Sequence, residues 1–189
     1  IKNKSNNSLI FQALFWFEKK LLNSADMLST ISTSMLLKLE NKTAKEARIK
    51  LLPNWVDLNF IKPDNYKNHP YLHSSKFTIL YSGNIGEKQD WDLFLELVQM
   101  LKKESDIAIV VVGDGSKREW LTQQLVGMHH VSLHAPVPYS ELSDLLCSAD
   151  LHILFQKNDV IDTVMPSKIL AMMGSQRPSL ISGNSKSEV

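Results

Sequence analysis

The sequence contains one cysteine, Cys147, so a framework of internal disulfides is excluded. Proteins without disulfides are typical of reducing compartments, and we expect a cytoplasmic location. No stretch approaches the roughly 20 uninterrupted apolar residues that a transmembrane helix needs. Neither positive nor negative charge is in excess, because the sequence has 21 lysines and arginines and 20 aspartates and glutamates. Nucleic acid, whose binding usually brings a strong basic excess, is therefore not an expected partner.

The residue spacings of metal sites and of catalytic triads are missing as well. His129, His130, His134 and His152 lack the spacing of metal ligands, and no Cys/His cluster is present. We expect structural roles for these histidines, and we expect Cys147 to be a small buried side chain on an apolar helix face. No Ser/His/Asp or Cys/His set is suggested by spacing. Neither a metal nor another cofactor is expected.

From Phe77 onward, short β-branched apolar runs alternate with amphipathic stretches. Repeated strand–helix units predict an α/β fold, with a Rossmann-like parallel sheet and helices on both of its faces. The apolar run at 107–112 has no polar alternation, as expected for a strand buried on both faces. The predicted strands are Phe77–Tyr81, Ile107–Val112, Val131–Leu133, Leu151–Phe155 and Ser179–Ile181. The predicted helices are Trp91–Lys103, Lys117–Leu125, Tyr139–Cys147 and Ser167–Met173.

Helix starts in this part of the chain carry capping residues. Asp90 precedes the first predicted helix, Ser116 stands three residues before Glu119, and Ser140 could orient the first turn of a later helix. One stripe of the first helix must face the sheet. That stripe consists of Trp91, Phe94, Leu95, Val98 and Leu101.

The chain before Phe77 has a different character. The predicted elements there are a helix at Leu9–Leu22, a strand at Asp26–Ile31, a polar helix at Ser34–Arg48 and a short strand at Leu51–Pro53. Prolines and polar residues then predict a linker or crossing loop. Both ends of the sequence look cut, so we expect a fragment of a longer protein. Its predicted parts are 1–56 (the end of a neighbouring domain and a crossing segment), 57–76 (the linker) and 77–189 (a nucleotide-binding domain truncated at its C-terminal side).

The predicted helix Leu9–Leu22 is rich in aromatic residues. Phe11, Phe15, Trp16 and Phe17 stand beside lysines, and such a helix can lie in a membrane interface. It can equally pack against the missing part of a neighbouring domain. Packing is favoured because apolar residues run nearly all round the helix.

The best candidate for chemistry is the glycine-containing turn Ser82–Gln89, which directly follows the first predicted strand and leads into a helix. Such a turn lets backbone amides approach an anion, and the helix N-terminus adds a partial positive charge. Lys88 could supply a full positive charge to a phosphate. An ordinary tight turn with a solvent-facing lysine is the alternative. The turn is not a P-loop, because it lacks the Gly-Lys-Ser/Thr ending.

Two further turns have the same position relative to a strand. Val112–Ser116 begins like a dinucleotide fingerprint, but Arg118 stands where the third glycine belongs, which favours a structural turn. In Asp162–Lys168, Pro166 can begin a helix whose next amides point outward, and a capped surface helix is an equal alternative. All three turns follow the carboxyl ends of parallel strands. They therefore share the sheet edge at which open α/β sheets bind ligands.

Six segments, taken in order, resemble retaining glycosyltransferases of the GT-B fold, family 4. They are most similar to the group that includes the colanic acid biosynthesis glycosyltransferases, and they cover nearly the whole chain. The segments are Asn23–Asp26 with Ile31 and Ser32, Leu52–Asp57, Leu80–Gln89, Val112–Gly115, Ala135–Pro138 with Leu142, Ala149 and Asp150, and Met165–Lys168 with Arg177 and Pro178. No single segment is specific, but their combination in this order is.

The resemblance implies a metal-independent, retaining hexosyltransferase that uses a UDP- or GDP-sugar. Its acceptor would be a polysaccharide or a lipid-linked saccharide, and peripheral attachment to the inner membrane face stays open. The resemblance places the first glycine turn near the diphosphate, Val137 beside the base and the 166–168 segment near the phosphates or ribose. The implied donor-site residues are Gly83, Asn84, Lys88, Val137, Pro166, Ser167 and Lys168. It assigns no catalytic residue.

Some positions depart from the family pattern. Asn84 stands where many members have arginine, and Thr163 and Ala171 stand where many have a pair of glutamates. Gln176 replaces a common glycine. Two alternatives stay open. The Val112–Ser116 turn allows a Rossmann-like dinucleotide domain of an oxidoreductase, and the missing glutamate pair allows a degenerate, non-catalytic interaction domain. We also expect the chain to be inactive alone, because most of the acceptor-binding domain is missing.

Overall fold

The computed structural model describes residues 9–44, 48–72, 75–158 and 167–184. The chain divides into two compact units, Ile1–Asn54 and Trp55–Ser187. Each unit has a sheet of its own. The candidate site lies in the second unit.

The first unit contains helix α1 (Leu9–Asn23), strand β1 (Leu28–Thr30), helix α2 (Thr33–Lys42) and strand β2 (Ile49–Leu51). The two strands pair in parallel, and the Ser32 side chain caps α2 by accepting from the Met35 amide (3.2 Å). The prediction that this helix continues to Arg48 is wrong, since it ends at Lys42. Thr43 terminates it, with the backbone amide and the hydroxyl of Thr43 both donating to the Leu39 carbonyl. The second strand also lies two residues earlier than predicted, because Pro53 cannot donate to a ladder.

Helix α1 has no buried residue. Most of its large apolar side chains are exposed in this unit, including Phe15, Trp16 and Phe17. Lys20 lies over the Trp16 ring, with 5.1 Å between the ammonium nitrogen and the ring centroid. Among the described residues, no helix is both long enough and apolar enough to cross a membrane.

The second unit follows the predicted strand–helix repeat. Its elements are β3 (Phe77–Ser82), α3 (Trp91–Met100), β4 (Ile107–Val112), α4 (Arg118–Gln124), β5 (Val131–His134), α5 (Tyr139–Cys147), β6 (Leu151–Phe155), α6 (Lys168–Gly174) and β7 (Ser179–Ser182). Each predicted strand and helix is confirmed to within one residue at either end, except that Leu101–Lys103 forms a 3-10 turn after α3. The predicted α/β fold is thus confirmed.

Within the described residues these strands form a five-stranded parallel sheet in the order β5-β4-β3-β6-β7. Alternate residues of a strand face opposite sides of a sheet, and both sides are covered here. Tyr81 and Val111 pack with α3 and α4, whereas Leu80 and Val110 pack with α5. The burial of Ala108 to Val112 confirms that β4 is enclosed on both faces. The α3 residues Trp91, Phe94 and Val98 are buried. Leu95 and, from the 3-10 turn, Leu101 pack beside them as predicted.

Of the three predicted helix caps, one is confirmed and two are wrong. Asp90 caps α3 as predicted, since its carboxylate accepts from the Leu93 amide (3.2 Å). The Ser116 and Ser140 predictions are wrong, because no side chain caps α4 or α5. Backbone acceptors take that role: the amides of Lys117 and Glu141 donate to the carbonyls of Ile85 (2.9 Å) and Pro138 (3.0 Å).

Residues 55–72 have neither helix nor strand, yet they pack closely on α5. Ile61 is only 2% exposed. Serine hydroxyls of α5 and of its C-cap accept from this segment, Ser143 from the Lys62 amide and Ser148 from the His69 amide (3.0 Å each). This segment is therefore part of the folded second unit.

Candidate functional site

Two glycine turns lie side by side at the carboxyl edge of the sheet. The turn that begins at Gly83 follows β3, and the turn that begins at Gly113 follows β4. The two turns are joined backbone to backbone, because the Gly83 amide donates to the Val112 carbonyl (2.9 Å) and the Ile85 amide donates to the Asp114 carbonyl (2.7 Å). The sequence predicted both turns at one edge, and the structure brings them into direct contact.

Glycine is required at Gly113 and Gly115 because of this contact. A Cβ on Gly113 would collide with the carbonyl oxygen of Gly83, and a Cβ on Gly115 would lie 2.5 Å from the carbonyl oxygen of Ile85. Gly115 also has a φ of +149°, which side-chain-bearing residues rarely adopt. The paired glycines thus allow two backbone turns to share one small space, with main-chain groups at its surface.

A pocket of about 230 Å³ opens beside these turns. It brings together three of the residues proposed from the sequence, namely Gly83, Asn84 and Val137. The remaining lining residues come from the ends of β3 and β4 and from the start of α5: Ser82, Val112, Gly113, Asp114, Pro136 and Leu142. The lining thus combines residues of the two glycine turns with the apolar residues Pro136, Val137 and Leu142.

Lys168 lies against the other side of Gly83. A Cβ placed on Gly83 would lie 3.0 Å from Lys168 Cδ and 3.1 Å from Lys168 Nζ, so a side chain here would crowd Lys168. Gly83 also has a φ of +143°, which side-chain-bearing residues rarely adopt. The Nζ atom stands 3.9 Å from the centroid of the Tyr81 ring. It is buried and has no hydrogen-bond partner among the described residues. Burial lowers the pKa of this amine from 10.5 to about 7.

The loop between Gly83 and α3 is held by side chains that sequence reasoning missed. The buried Tyr81 hydroxyl donates to the Asn84 carbonyl (2.7 Å), and burial raises the pKa of Tyr81 above its ordinary value. The Trp91 indole donates to the Gly86 carbonyl (2.8 Å), and the Gly86 amide donates to the Gln89 side chain (3.1 Å). Tyr81, an aromatic residue directly before the first glycine turn, was the sequence feature that could have indicated such a contact. These contacts make the turn a preformed feature of the site.

The other proposed residues are placed differently. Lys88 is exposed in a turn and is not among the pocket-lining residues, and its carbonyl accepts from the Lys157 amide (3.2 Å). Ser167 is exposed directly before α6, and its hydroxyl does not cap that helix. Pro166 lies outside the described residues, as does the rest of 159–166.

The order of the strands explains why these features meet. The chain enters the sheet at β3, adds β4 and β5 on one side and then crosses to add β6 on the other. Ligands of open α/β sheets bind at such a point, outside the carboxyl ends of the strands where the order reverses. The pocket lies toward β4 and β5, whereas Lys168 belongs to the segment after β6. Gly83 stands between them.

Comparison with protein families agrees with this architecture. A model of the family described as "Glycosyl transferases group 1" matches residues 76–189, which is more than half of the chain. The chain belongs to the group 1 glycosyltransferases. This membership decides against the oxidoreductase alternative that the Gly113 turn had left open.

A curated relative of this group 1 glycosyltransferase matches along the whole chain. It is the putative colanic acid biosynthesis glycosyl transferase WcaI of Escherichia coli K12, with 30% identity over 196 residues. The match covers 100% of this chain but 48% of WcaI, so the chain spans about half the length of the curated relative it matches. The resemblance to the colanic acid group is thereby confirmed.

Solved glycosyltransferase structures share the fold. S. aureus TarM, crystallised with fondaparinux, α-GlcNAc-glycerol and UDP, matches with a TM-score of 0.66 and 14% identity, over 97% of this chain and 35% of TarM. Anabaena HepE in complex with UDP-glucose matches with a TM-score of 0.64 and 16% identity, over 90% of this chain and 48% of HepE. WaaG, a glycosyltransferase of lipopolysaccharide biosynthesis, matches with a TM-score of 0.67 and 15% identity, over 93% of this chain and 50% of WaaG.

Several other side chains of this unit that could carry chemistry have structural contacts instead. His152 is buried against the Ser175 hydroxyl (3.0 Å), and burial lowers its pKa to about 4. The Asp150 carboxylate accepts from the Thr78 amide (2.7 Å). Cys147 is fully buried, as predicted. Ala171, at a position where many family members carry glutamate, packs beside the apolar cluster that contains Leu80. No group of three candidate metal ligands occurs in the parts of the chain that are described.

Proposed function

We propose that the second unit binds a nucleotide-sugar donor across Gly83, as the donor half of a longer glycosyltransferase. The donor is a UDP- or GDP-sugar. Its diphosphate lies over the Gly83 turn, and its base occupies the pocket beside Val137. The proposal for this chain is limited to donor binding, because the chain spans about half the length of its curated relative.

The observation that carries the proposal is the buried Lys168 amine beside Gly83. A buried ammonium without a hydrogen-bond partner is costly to a folded protein, so a residue in this position needs a reason to be there. An anion at the Gly83 turn would supply the missing acceptor. Because Gly83 has no side chain, the oxygens of a diphosphate could lie against the backbone of the turn, and a change of the Lys168 rotamer would bring its buried Nζ atom to them.

The pocket on the other side of Gly83 suits the nucleoside. Apolar side chains from Pro136, Val137 and Leu142 form one wall, and polar groups from Asn84 and Asp114 lie near the turns. An apolar wall with a few polar groups is the usual composition of a small-molecule site. The base would lie toward β5, and the sugar to be transferred would lie toward Lys168.

In the whole enzyme, we propose, the bond between the sugar C1 and the diphosphate oxygen breaks, and the sugar passes to an acceptor hydroxyl with retention of configuration. Lys168 and the backbone amides of the Gly83 turn would offset the charge on the departing nucleoside diphosphate without a metal. HepE and TarM, which share the fold, were crystallised with UDP-glucose and with UDP.

The acceptor proposal is broader. The name of WcaI refers to colanic acid biosynthesis, and this supports a saccharide acceptor that is part of a polysaccharide or is linked to a lipid. Transfer to a lipid-linked acceptor would place the enzyme in the cytoplasm, at the inner face of the membrane. The chain alone would bind the donor without transferring the sugar.

Calorimetric titration of the chain with UDP, GDP and NAD tests the donor proposal. Binding of UDP or GDP that is weakened at least tenfold in Lys168→Met supports the proposal. Lys102→Met is the matched control, because Lys102 is an exposed lysine at the amino-terminal edge of the sheet. Binding of NAD alone would contradict the donor proposal. Absence of binding by all three would favour a non-catalytic interaction domain.

A further inference from the structure

The amine of Lys168 has an unusual environment for a lysine that faces a ligand site. Its Nζ atom is buried, and no described residue forms a hydrogen bond with it. Among the residues that the structure describes, the π face of Tyr81 favours its charged form, with the ring centroid 3.9 Å away. An ammonium has three donors to satisfy, whereas a neutral amine loses less by burial.

We propose that binding of the donor diphosphate loads one proton from solvent onto the Lys168 amine. The inference rests on the proposed function, since it needs an anion at Gly83. The step converts a neutral –NH₂ and a solvent proton into –NH₃⁺, and no bond of the donor changes. The bound pair is then an ammonium beside a diphosphate.

The described groups around the amine include no carboxylate paired with it, so its change of charge is not already compensated. Tyr81 faces it from β3 as a neutral phenol, because burial raises its pKa and its hydroxyl donates to a backbone carbonyl. Lys168 is the one charged residue in α6. On β6, His152 is neutral near pH 7, since burial lowers its pKa to about 4. Across Gly83, the Asp114 carboxylate accepts from the backbone amide of the next residue (2.8 Å).

The size of the effect follows from burial and from the incoming charge. Burial lowers the pKa of the free Lys168 amine to about 7, so much of it is neutral slightly above that pH. An opposite charge within about 4–6 Å raises the pKa of such a group by roughly 1–3 units. Between the two pKa values, each bound donor takes up close to one proton. Over the same range, affinity falls as the pH rises, by about tenfold from about pH 7 to about pH 8.5 for a two-unit change.

The experiment is calorimetric titration with UDP-glucose, or with a GDP-sugar if only that binds, at about pH 8 in buffers of different ionisation enthalpy. A sugar nucleotide is a diphosphate diester, so its phosphates do not titrate in this range. The slope of the apparent binding enthalpy against the buffer's ionisation enthalpy counts the protons. We expect a slope between about 0.5 and 1, a value set by the two pKa values above.

Variants separate proton uptake at Lys168 from uptake elsewhere. Lys168→Arg keeps the charge but does not titrate, so binding should persist with a slope of zero. Lys102→Met should keep the slope of the unmodified chain. Donor binding with zero slope in the unmodified chain would overturn the inference and leave the donor site standing, as would an unchanged slope in Lys168→Arg. Absence of any donor binding would instead overturn the proposed function, and this inference with it.

Discussion

Replacing Gly113 by alanine should separate the two glycine turns. The added Cβ would collide with the carbonyl oxygen of Gly83, which is backbone and cannot rotate away. Gly113 has no positive φ, so the penalty comes from the collision and not from backbone strain. The positions of both turns are fixed by their hydrogen bonds: the Gly83 amide donates to the Val112 carbonyl (2.9 Å), and the Gly113 amide donates to the His134 carbonyl (3.1 Å).

The expected loss of stability follows from these contacts. Moving the turns apart costs about two backbone hydrogen bonds, each with a net value of about 1 kcal/mol. Misfit at a tightly packed position adds roughly 1–2 kcal/mol. We therefore expect the free energy of unfolding to fall by about 3–4 kcal/mol. Donor affinity should fall as well, because the pocket beside Gly83 changes shape.

Urea unfolding followed by circular dichroism measures this loss. Gly127→Ala is the matched control: Gly127 has a φ of +80°, and a Cβ there would meet no atom within 4 Å. That variant carries left-handed backbone strain without a collision, so it should cost about 1–2 kcal/mol. The reasoning is refuted if Gly113→Ala is no less stable than Gly127→Ala.

Three further predictions concern stability. Burial lowers the pKa of Lys168 from 10.5 to about 7, so its charge opposes folding fully below about pH 7 and progressively less up to 10.5. From about pH 6 to about pH 9, the free energy of unfolding in urea should therefore rise by about 3 kcal/mol relative to that of Lys168→Met. A difference between the two chains that does not change with pH would contradict this prediction. Phe94 is fully buried beside Trp91 and Phe155, so Phe94→Ala should cost about 3–5 kcal/mol in the same assay, and a loss below about 1 kcal/mol would contradict it. Asp150→Ala removes the acceptor of the Thr78 amide and should cost about 1 kcal/mol; thermal unfolding unchanged from the parent chain would show that this cap does not stabilise β3.

Much of the second unit could be predicted because its strands are buried on both faces. A strand enclosed in this way must be apolar throughout, and β4 reads as an uninterrupted apolar run. The glycine turns could be predicted for a related reason. Each directly follows such a strand, and the carboxyl ends of parallel strands meet at one edge. The direct contact of Gly113 with Gly83 could not be foreseen, because spacing along the chain does not show how closely two turns approach.

The two lysines show where sequence reasoning ended. Lys88 lies within the glycine turn, and Lys168 lies far away in the chain, but Lys168 is the one that reaches Gly83. The direction of Lys88 depends on how Trp91 and Gln89 fold the loop back through their hydrogen bonds. Neither contact leaves a pattern in the sequence. Lys168 reaches Gly83 because the chain crosses to the opposite side of β3.

Residues 55–72 were equally hard to foresee. Their prolines and polar residues are typical of an exposed linker, but the segment is held by hydrogen bonds from its backbone to α5 and its C-cap. The Lys62 and His69 amides donate to Ser143 and Ser148, and such bonds need no apolar pattern. Arg177 adds a further bond, from its guanidinium to the Tyr66 hydroxyl (2.7 Å).

A crystal structure of the chain with UDP tests the central proposal most directly. The proposal predicts phosphate oxygens within hydrogen-bond distance of the backbone amides of the Gly83 turn and of Lys168 Nζ, with the uracil beside Val137. UDP bound away from this edge of the sheet would contradict it, as would a Lys168 amine left without contact to the phosphates.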